Sequence, residues 1–257
     1  GESHVGPVLS VSFSPDGNSI VTGSDDTTAR LWEAATGKHV RLFFRHLGPV
    51  WDAEFDREGK RIVTASGDGT SIVWDVATGT SKPPFTGHDG PVYTAAFSPT
   101  GPNVATGGYD RRVLLWNPGT LKEFNFSNLE SKTAKVVNDP QYSPLDGHSA
   151  PVRDIQFTAD GNQLVSGSDD NTVRLWSMET LKDEKTFRGH NGSVRSLVLA
   201  DQDSIILTAS KDNRIKQWNI EQYAEVRVLH SHVLDEHRAE VLSARFSKDG
   251  RRIVTAS

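Results

Sequence analysis

The sequence predicts an all-β protein made of consecutive four-stranded antiparallel meanders of about 42 residues each. Three observations carry that prediction. First, one unit recurs: "SFSPDGNSIVTGSDDTTARLWEAATG", "EFDREGKRIVTASGDGTSIVWDVATG", "AFSPTGPNVATGGYDRRVLLWNPGT", "QFTADGNQLVSGSDDNTVRLWSMET" and "VLADQDSIILTASKDNRIKQWNIEQ" are copies, and "RFSKDGRRIVTAS" is a sixth that stops halfway. Second, short alternating apolar runs such as "SIVTGS" and "ARLWEA" are separated by "SPDG", "SPTG", "TADG" and "SKDG". These are β-turn sequences whose glycine can take positive φ. Third, a hydrophobic fraction of only 35% with 22 glycines suits many short strands joined by tight turns. The regular apolar clusters argue against disorder.

Each copy opens on a histidine, His4, His46, His88, His148 or His190, and reaches Trp32, Trp74, Trp116, Trp176 or Trp218 28 residues later. Six residues before each tryptophan stands Asp26, Asp68, Asp110, Asp170 or Asp212. Eight before it stands Ser24, Ser66, Ser168 or Ser210, with Gly108 in the third copy. The copies span residues 4–45, 46–87, 88–147, 148–189 and 190–236, with a partial copy at 237–257 opening on His237. Three strands are clear in each, and a fourth, such as "HVRLF" or "KDEKTF", precedes the next histidine.

This pattern resembles the WD-repeat β-propeller family along the whole chain, with the constant spacing carrying the likeness. Gly-His is present only at His88, His148 and His190, and among the repeat tryptophans only Trp74 is followed by aspartate. The resemblance implies one propeller domain over residues 1–257, five complete blades and the first half of a sixth. It also implies that the His, Ser, Asp and Trp of a blade form a hydrogen-bonded network, with Gly108 leaving a gap that water or a direct contact would fill. Only three residues precede His4 and the last copy stops at Ser257, so the chain is expected to be a fragment of a longer propeller. Its unclosed strand edges then invite self-association.

Repetition bears on chemistry too. Ser, His and Asp together suggest a hydrolase triad, but an active site is needed once, whereas this set recurs in full four times with a tryptophan at fixed offset. The structural reading is preferred. "HSHVLDEH" brings His230, His232, His237, Asp235 and Glu236 close together, a composition that could bind zinc. His237 belongs to its repeat, however, and His230 and His232, like His39, read as solvated side chains. No phosphate loop or metalloprotease motif stands out, so no cofactor or metal is expected. The enzyme alternative places a channel site around Asp52, Glu54 and Asp154. The absence of cysteine excludes disulfides and thiolate chemistry, and a net charge of −5 without basic blocks disfavours nucleic acid. No apolar run reaches the roughly 18 residues of a membrane span, and a cytoplasmic setting is expected.

Function is expected where the copies differ. Five tryptophans sit at the repeat position; Trp51 does not. It follows His46 by five residues, where the apolar parity of Val50, Ala53 and Phe55 changes, as at a β-bulge that re-aims a side chain. In propellers of the resembled family this position faces the channel entrance on the His/Asp side. Its counterparts are Leu9, Tyr93, Arg153, Arg195 and Leu242, and the residues before each network aspartate are Asp25, Gly67, Tyr109, Asp169 and Lys211. Trp51, Tyr93 and Tyr109 form an aromatic arc expected beside a basic arc of Arg153, Arg195 and Lys211. Trp, Tyr and Arg are enriched at interface hot spots, and arginine pairs with carboxylate or phosphate. The expectation is a non-catalytic scaffold for a protein or peptide, acidic or phosphorylated. An insertion around residues 124–143 overhangs this rim if "EFNFS" is the third copy's last strand, or the opposite face if "DPQYSPL" is.

Overall fold

The computed structural model describes residues 3–121, 142–200, 202–222, 224–229, 243–246 and 253–256. The alternating runs become strands, and the described Asp-Gly tetrapeptides "SPDG" and "TADG" become turns. The first sheet holds β1 (Val8–Phe13), β2 (Ser19–Ser24), β3 (Thr28–Glu33) and β4 (His39–Phe44) in that order. The second holds β5 (Val50–Phe55), β6 (Arg61–Ser66) and β7 (Ser71–Asp75); its outer edge is only bridged, Ser71 to Phe85 and Trp74 to Ser81. Pro83 and Pro84, which have no N–H to donate, interrupt what would be its fourth strand.

The third sheet comprises β8 (Val92–Phe97), β9 (Val104–Gly108), β10 (Val113–Trp116) and β11 (Tyr142–Leu145). Its outer strand therefore comes from "DPQYSPL" rather than "EFNFS", which lies outside the described residues. The fourth sheet contains β12 (Val152–Phe157), β13 (Gln163–Ser168), β14 (Thr172–Ser177) and β15 (Lys182–Arg188). The fifth contains β16 (Val194–Ala200), β17 (Ile205–Ser210), β18 (Ile215–Asn219) and β19 (Ala224–Leu229). A further pair, β20 (Ser243–Phe246) and β21 (Ile253–Ala256), is antiparallel as well. Within each described sheet the strands pair with their sequence neighbours, across short connections everywhere except between β10 and β11.

The chain divides into two units, Gly1–Gly108 with Leu114–Pro144, and Tyr109–Val113 with Leu145–Ser257. In the first unit, Val21, Ala29, Leu31 and Phe43 of the first sheet pack on Val50, Ala53, Phe55, Ile62, Ile72 and Trp74 of the second. The opposite face of the second sheet, Val63, Ala65, Val73 and Phe85, packs on Val92, Ala95, Phe97, Val104, Leu114 and Trp116. In the second unit Val165, Val173, Leu175 and Phe187 meet Val194, Leu197, Ile206 and Trp218 in the same way. Close approach sets the small residues of the "VTGS" and "VSGS" strands: a Cβ on Gly23 would meet Val50 at 2.8 Å, and one on Gly167 would meet Val194 at 2.8 Å. The first sheet's other face is open, with Val8, Val11 and Phe13 55, 63 and 62% exposed.

Candidate functional site

At one end of the first, second, fourth and fifth sheets, the loop after the histidine lies against the turn that carries the network aspartate. His Nδ1 donates to the aspartate Oδ2 at 2.7–2.9 Å in the first, second, fourth and fifth sheets. The same Oδ2 accepts the backbone N–H of Val5, Leu47, Ser149 or Asn191. A carboxylate only accepts, so Nδ1 carries the proton and Nε2 is left to accept. It receives the hydroxyl of Thr22, Thr64, Thr106, Ser166 or Thr208 at 2.7–2.8 Å. The indole N–H of Trp32, Trp74, Trp176 or Trp218 donates to that same hydroxyl oxygen at 2.8–2.9 Å.

The bridging hydroxyl is thus two residues earlier than expected. Ser24, Ser66, Ser168 and Ser210 instead accept the N–H of the following aspartate and donate to the carbonyls of Gly6, Gly48, Ala150 and Gly192, closing the turn. Gly108 therefore opens no gap between His88 and its hydroxyl, which is that of Thr106. In the third sheet Trp116 stacks on Phe85 at 4.6 Å and 8°, and its indole nitrogen has no hydrogen-bond partner among the described residues.

Ser166, His148 and Asp170 have the connectivity of a hydrolytic triad, yet the geometry forbids its use. Ser166 is 0% exposed, and its oxygen already receives the Trp176 N–H, so no substrate reaches a free nucleophile. Burial alone would raise the carboxyls of Asp26, Asp68 and Asp170; hydrogen bonds from histidine, threonine and backbone outweigh it and hold them well below the usual range. Asp52 Oδ2 accepts Ala95 N–H at 3.1 Å and Asp154 Oδ2 accepts Leu197 N–H at 2.8 Å, tying β5 to β8 and β12 to β16. Glu54 is half-buried on β5. Among the described residues no three His, Asp or Glu side chains gather as metal ligands; His230, His232, Asp235, Glu236 and His237 lie outside them.

The first strand of each of the first five sheets carries a bulge at the variable position. Register shifts between Val8 and Ser10, Val50 and Asp52, Val92 and Thr94, Val152 and Asp154, and Val194 and Ser196 leave Leu9, Trp51, Tyr93, Arg153 and Arg195 as the extra residues. Such a residue is released from the pleat and aimed away from the ladder. In the first unit Trp51, 38% exposed, meets the Tyr93 ring edge-on at 6.1 Å, and its Nε1 lies 3.0 Å from where a Cβ on Gly67 would stand. Leu47 and Val5, at the same loop ends, are exposed. In the second unit Tyr109 is exposed, Lys211 is half-buried and precedes Asp212, and Arg153 bonds to Asp169. Reading Arg153 and Arg195 as bare cations missed that carboxylate, although its place before Asp170 marked it.

No helix among the described residues is long and apolar enough to cross a membrane. A stretch of 49 residues, 19% of the chain, is 41% identical to apoptotic protease-activating factor 1 of Mus musculus, and the same holds for that of Rattus norvegicus. A stretch of 61 residues, 24% of the chain, is 34% identical to transcription initiation factor TFIID subunit 5 of Caenorhabditis elegans. The matches span only 4% and 9% of those relatives' lengths. The family model described as "WD domain, G-beta repeat" matches residues 2–33, 37–75, 79–117, 139–177, 181–219 and 228–257. With six matches over most of its length, each running into an antiparallel sheet of the expected kind, the chain belongs to the family of WD-domain, G-beta repeat proteins.

Proposed function

We propose that this chain is a non-catalytic scaffold that binds protein or peptide at the sheet ends bearing the bulge residues. In this reading the sheets are five propeller blades and the first half of a sixth. The carrying observation is the contrast between fixed and variable groups: histidine, hydroxyl, aspartate and tryptophan recur, whereas the bulge delivers Leu9, Trp51, Tyr93, Arg153 or Arg195 from identical backbone. A position that accepts such unlike side chains is not closely packed. Trp51 and Tyr93 suit an apolar anchor, while Arg153, Arg195 and Lys211 suit an acidic or phosphorylated segment. One relative is by name a subunit of a larger factor, which supports a role in assembly.

The test pairs thermal unfolding with partner binding for Trp51→Ala. We expect stability to fall by no more than about 1 kcal/mol, the scale of an exposed aromatic pair, and binding to weaken by about 2 kcal/mol, as for an interface hot spot. A large stability loss with unchanged affinity would return Trp51 to the core and overturn the reading.

A further inference from the structure

In the second unit two arginines from adjacent inner strands converge on one carboxylate. Arg153 donates to Asp169 Oδ2 through Nε at 2.9 Å and Nη2 at 2.5 Å, and Arg195 Nη1 stands 3.5 Å from Oδ1. The sequence explains this sharing. Asp169 precedes the network aspartate of the fourth sheet, but the fifth sheet has Lys211 there, so Arg195 finds no carboxylate at that position of its own sheet and turns to its neighbour's. Burial alone would raise the Asp169 carboxyl; the Arg153 hydrogen bonds and charge, the Arg195 charge and the Ser193 hydroxyl together hold it below the usual carboxylate range.

Two features distinguish this cluster from a simple strut between sheets. Both arginine side chains are 21% exposed and Asp169 is 17% exposed, so an incoming group can reach them. Moreover, Arg195 is held by charge rather than by its fork of donors: the 3.5 Å approach is long for a hydrogen bond, and its buried Nε has no hydrogen-bond acceptor among the described residues. A guanidinium is built for planar, bidentate recognition of an oxyanion, and Arg195 makes no such contact with Asp169.

We propose that Asp169 is a resident carboxylate in an anion site formed by Arg153 and Arg195, and that a phosphoryl group displaces it to bind there. The proposal rests on the reading of the partner as acidic or phosphorylated. A phosphate monoester carries about −1.5 to −2 charge and three acceptor oxygens. It can satisfy both guanidinium forks, whereas a second carboxylate would exchange one monoanion for another. Displaced, the Asp169 carboxylate regains water, so the site is kept closed until a group of higher charge arrives.

Titration calorimetry of the whole chain with inorganic phosphate, with a neutral glycine peptide bearing one phosphoserine, and with acetate tests this. Asp169→Asn should bind both phosphate probes at least about tenfold tighter than wild type, because a like charge at the site is removed. Adding Arg195→Ala should abolish the gain, and acetate should not bind. Asp169→Gly serves as a second variant, since Gly67 holds the equivalent turn in the second sheet; unfolding curves report that each variant is folded. Equal phosphate affinity in wild type and both Asp169 variants overturns the resident carboxylate yet leaves an anionic partner standing. Absence of phosphate binding in every variant overturns both. Binding of inorganic phosphate without the peptide supports the anion site but overturns a partner segment as its ligand.

Discussion

At the bulge of the second sheet Trp51 leans over Gly67 and against Tyr93; at the bulge of the fourth, Arg153 reaches Asp169. The backbone is the same in both places. Gly67 N–H donates to Pro49 at 2.8 Å and Asp169 N–H to Pro151 at 2.9 Å, and the register shifts at matching residues. What differs is the partner supplied before the network aspartate, which is a hydrogen in one sheet and a carboxylate in the other. The fold decides where the bulge residue goes, and its neighbour decides whether it offers an aromatic face or an arginine in an ion pair.

The largest effects are expected beneath this difference, where the two units are alike. Thr64→Val removes the oxygen that joins His46 to Trp74, and Ser166→Ala does the same for His148 and Trp176. Each leaves two buried polar groups without partners, at about 1–3 kcal/mol apiece, so chemical denaturation should show losses of about 2–6 kcal/mol in both. Thr106→Val should cost clearly less, because Trp116 makes no hydrogen bond to that hydroxyl. Equal losses at all three positions would mean that packing, not the hydrogen-bond relay, dominates.

These same residues show what could be read without coordinates. The histidine-to-tryptophan spacing located the sheets, and the parity break at Val50, Trp51 and Ala53 located the bulge, because both are periodic signals. The bridging hydroxyl was misplaced by two residues. Residues two apart on a strand share a face, so Thr22 and Ser24 satisfy the same pattern. A discriminating signal was present: Thr22, Thr64, Thr106, Ser166 and Thr208 give a hydroxyl in all five copies, whereas the serine position lapses at Gly108. The ion cluster escaped because Arg195 pairs with a residue of the neighbouring sheet, and no periodicity within one repeat reveals that contact.

Acid should separate the two sheet ends more gently. Asp68 in the first unit and Asp170 in the second have carboxyls lowered in the folded state, against burial, by histidine and threonine hydrogen bonds. A lowered carboxyl binds fewer protons folded than unfolded, so its stabilisation is complete above the unfolded value, about 3.9, and disappears as pH falls through the folded one. Both units should therefore loosen only below about pH 4. Asp169 is lowered too, so Asp169→Asn should flatten this acid dependence, while Gly67 offers the first unit nothing to titrate. Unfolding midpoints between pH 2 and pH 6 would check this, and an unchanged slope in Asp169→Asn would show that the pair contributes nothing to stability.

The smallest effect, and the sharpest for the comparison, is expected from moving the second unit's pair into the first. Gly67→Asp alone should destabilise by about 1–2 kcal/mol, the range of overpacking, because the new Cβ would meet Trp51 Nε1 at 3.0 Å and Pro49 Cδ at 3.2 Å. Its backbone is no obstacle, since Gly67 does not occupy the left-handed region. Trp51→Arg alone loses the edge-on contact with Tyr93 and gains no carboxylate. Together the changes remove the clash with the indole and supply an arginine with an aspartate placed as Asp169 is placed for Arg153, beside an equivalent proline. The double variant should then stand within about 1 kcal/mol of wild type, as expected of a partly exposed ion pair replacing an exposed aromatic. A denaturation cycle over the four proteins measures the coupling. If the single costs simply add, the residue before the aspartate does not govern the bulge, and the contrast between the two sheet ends has some other origin.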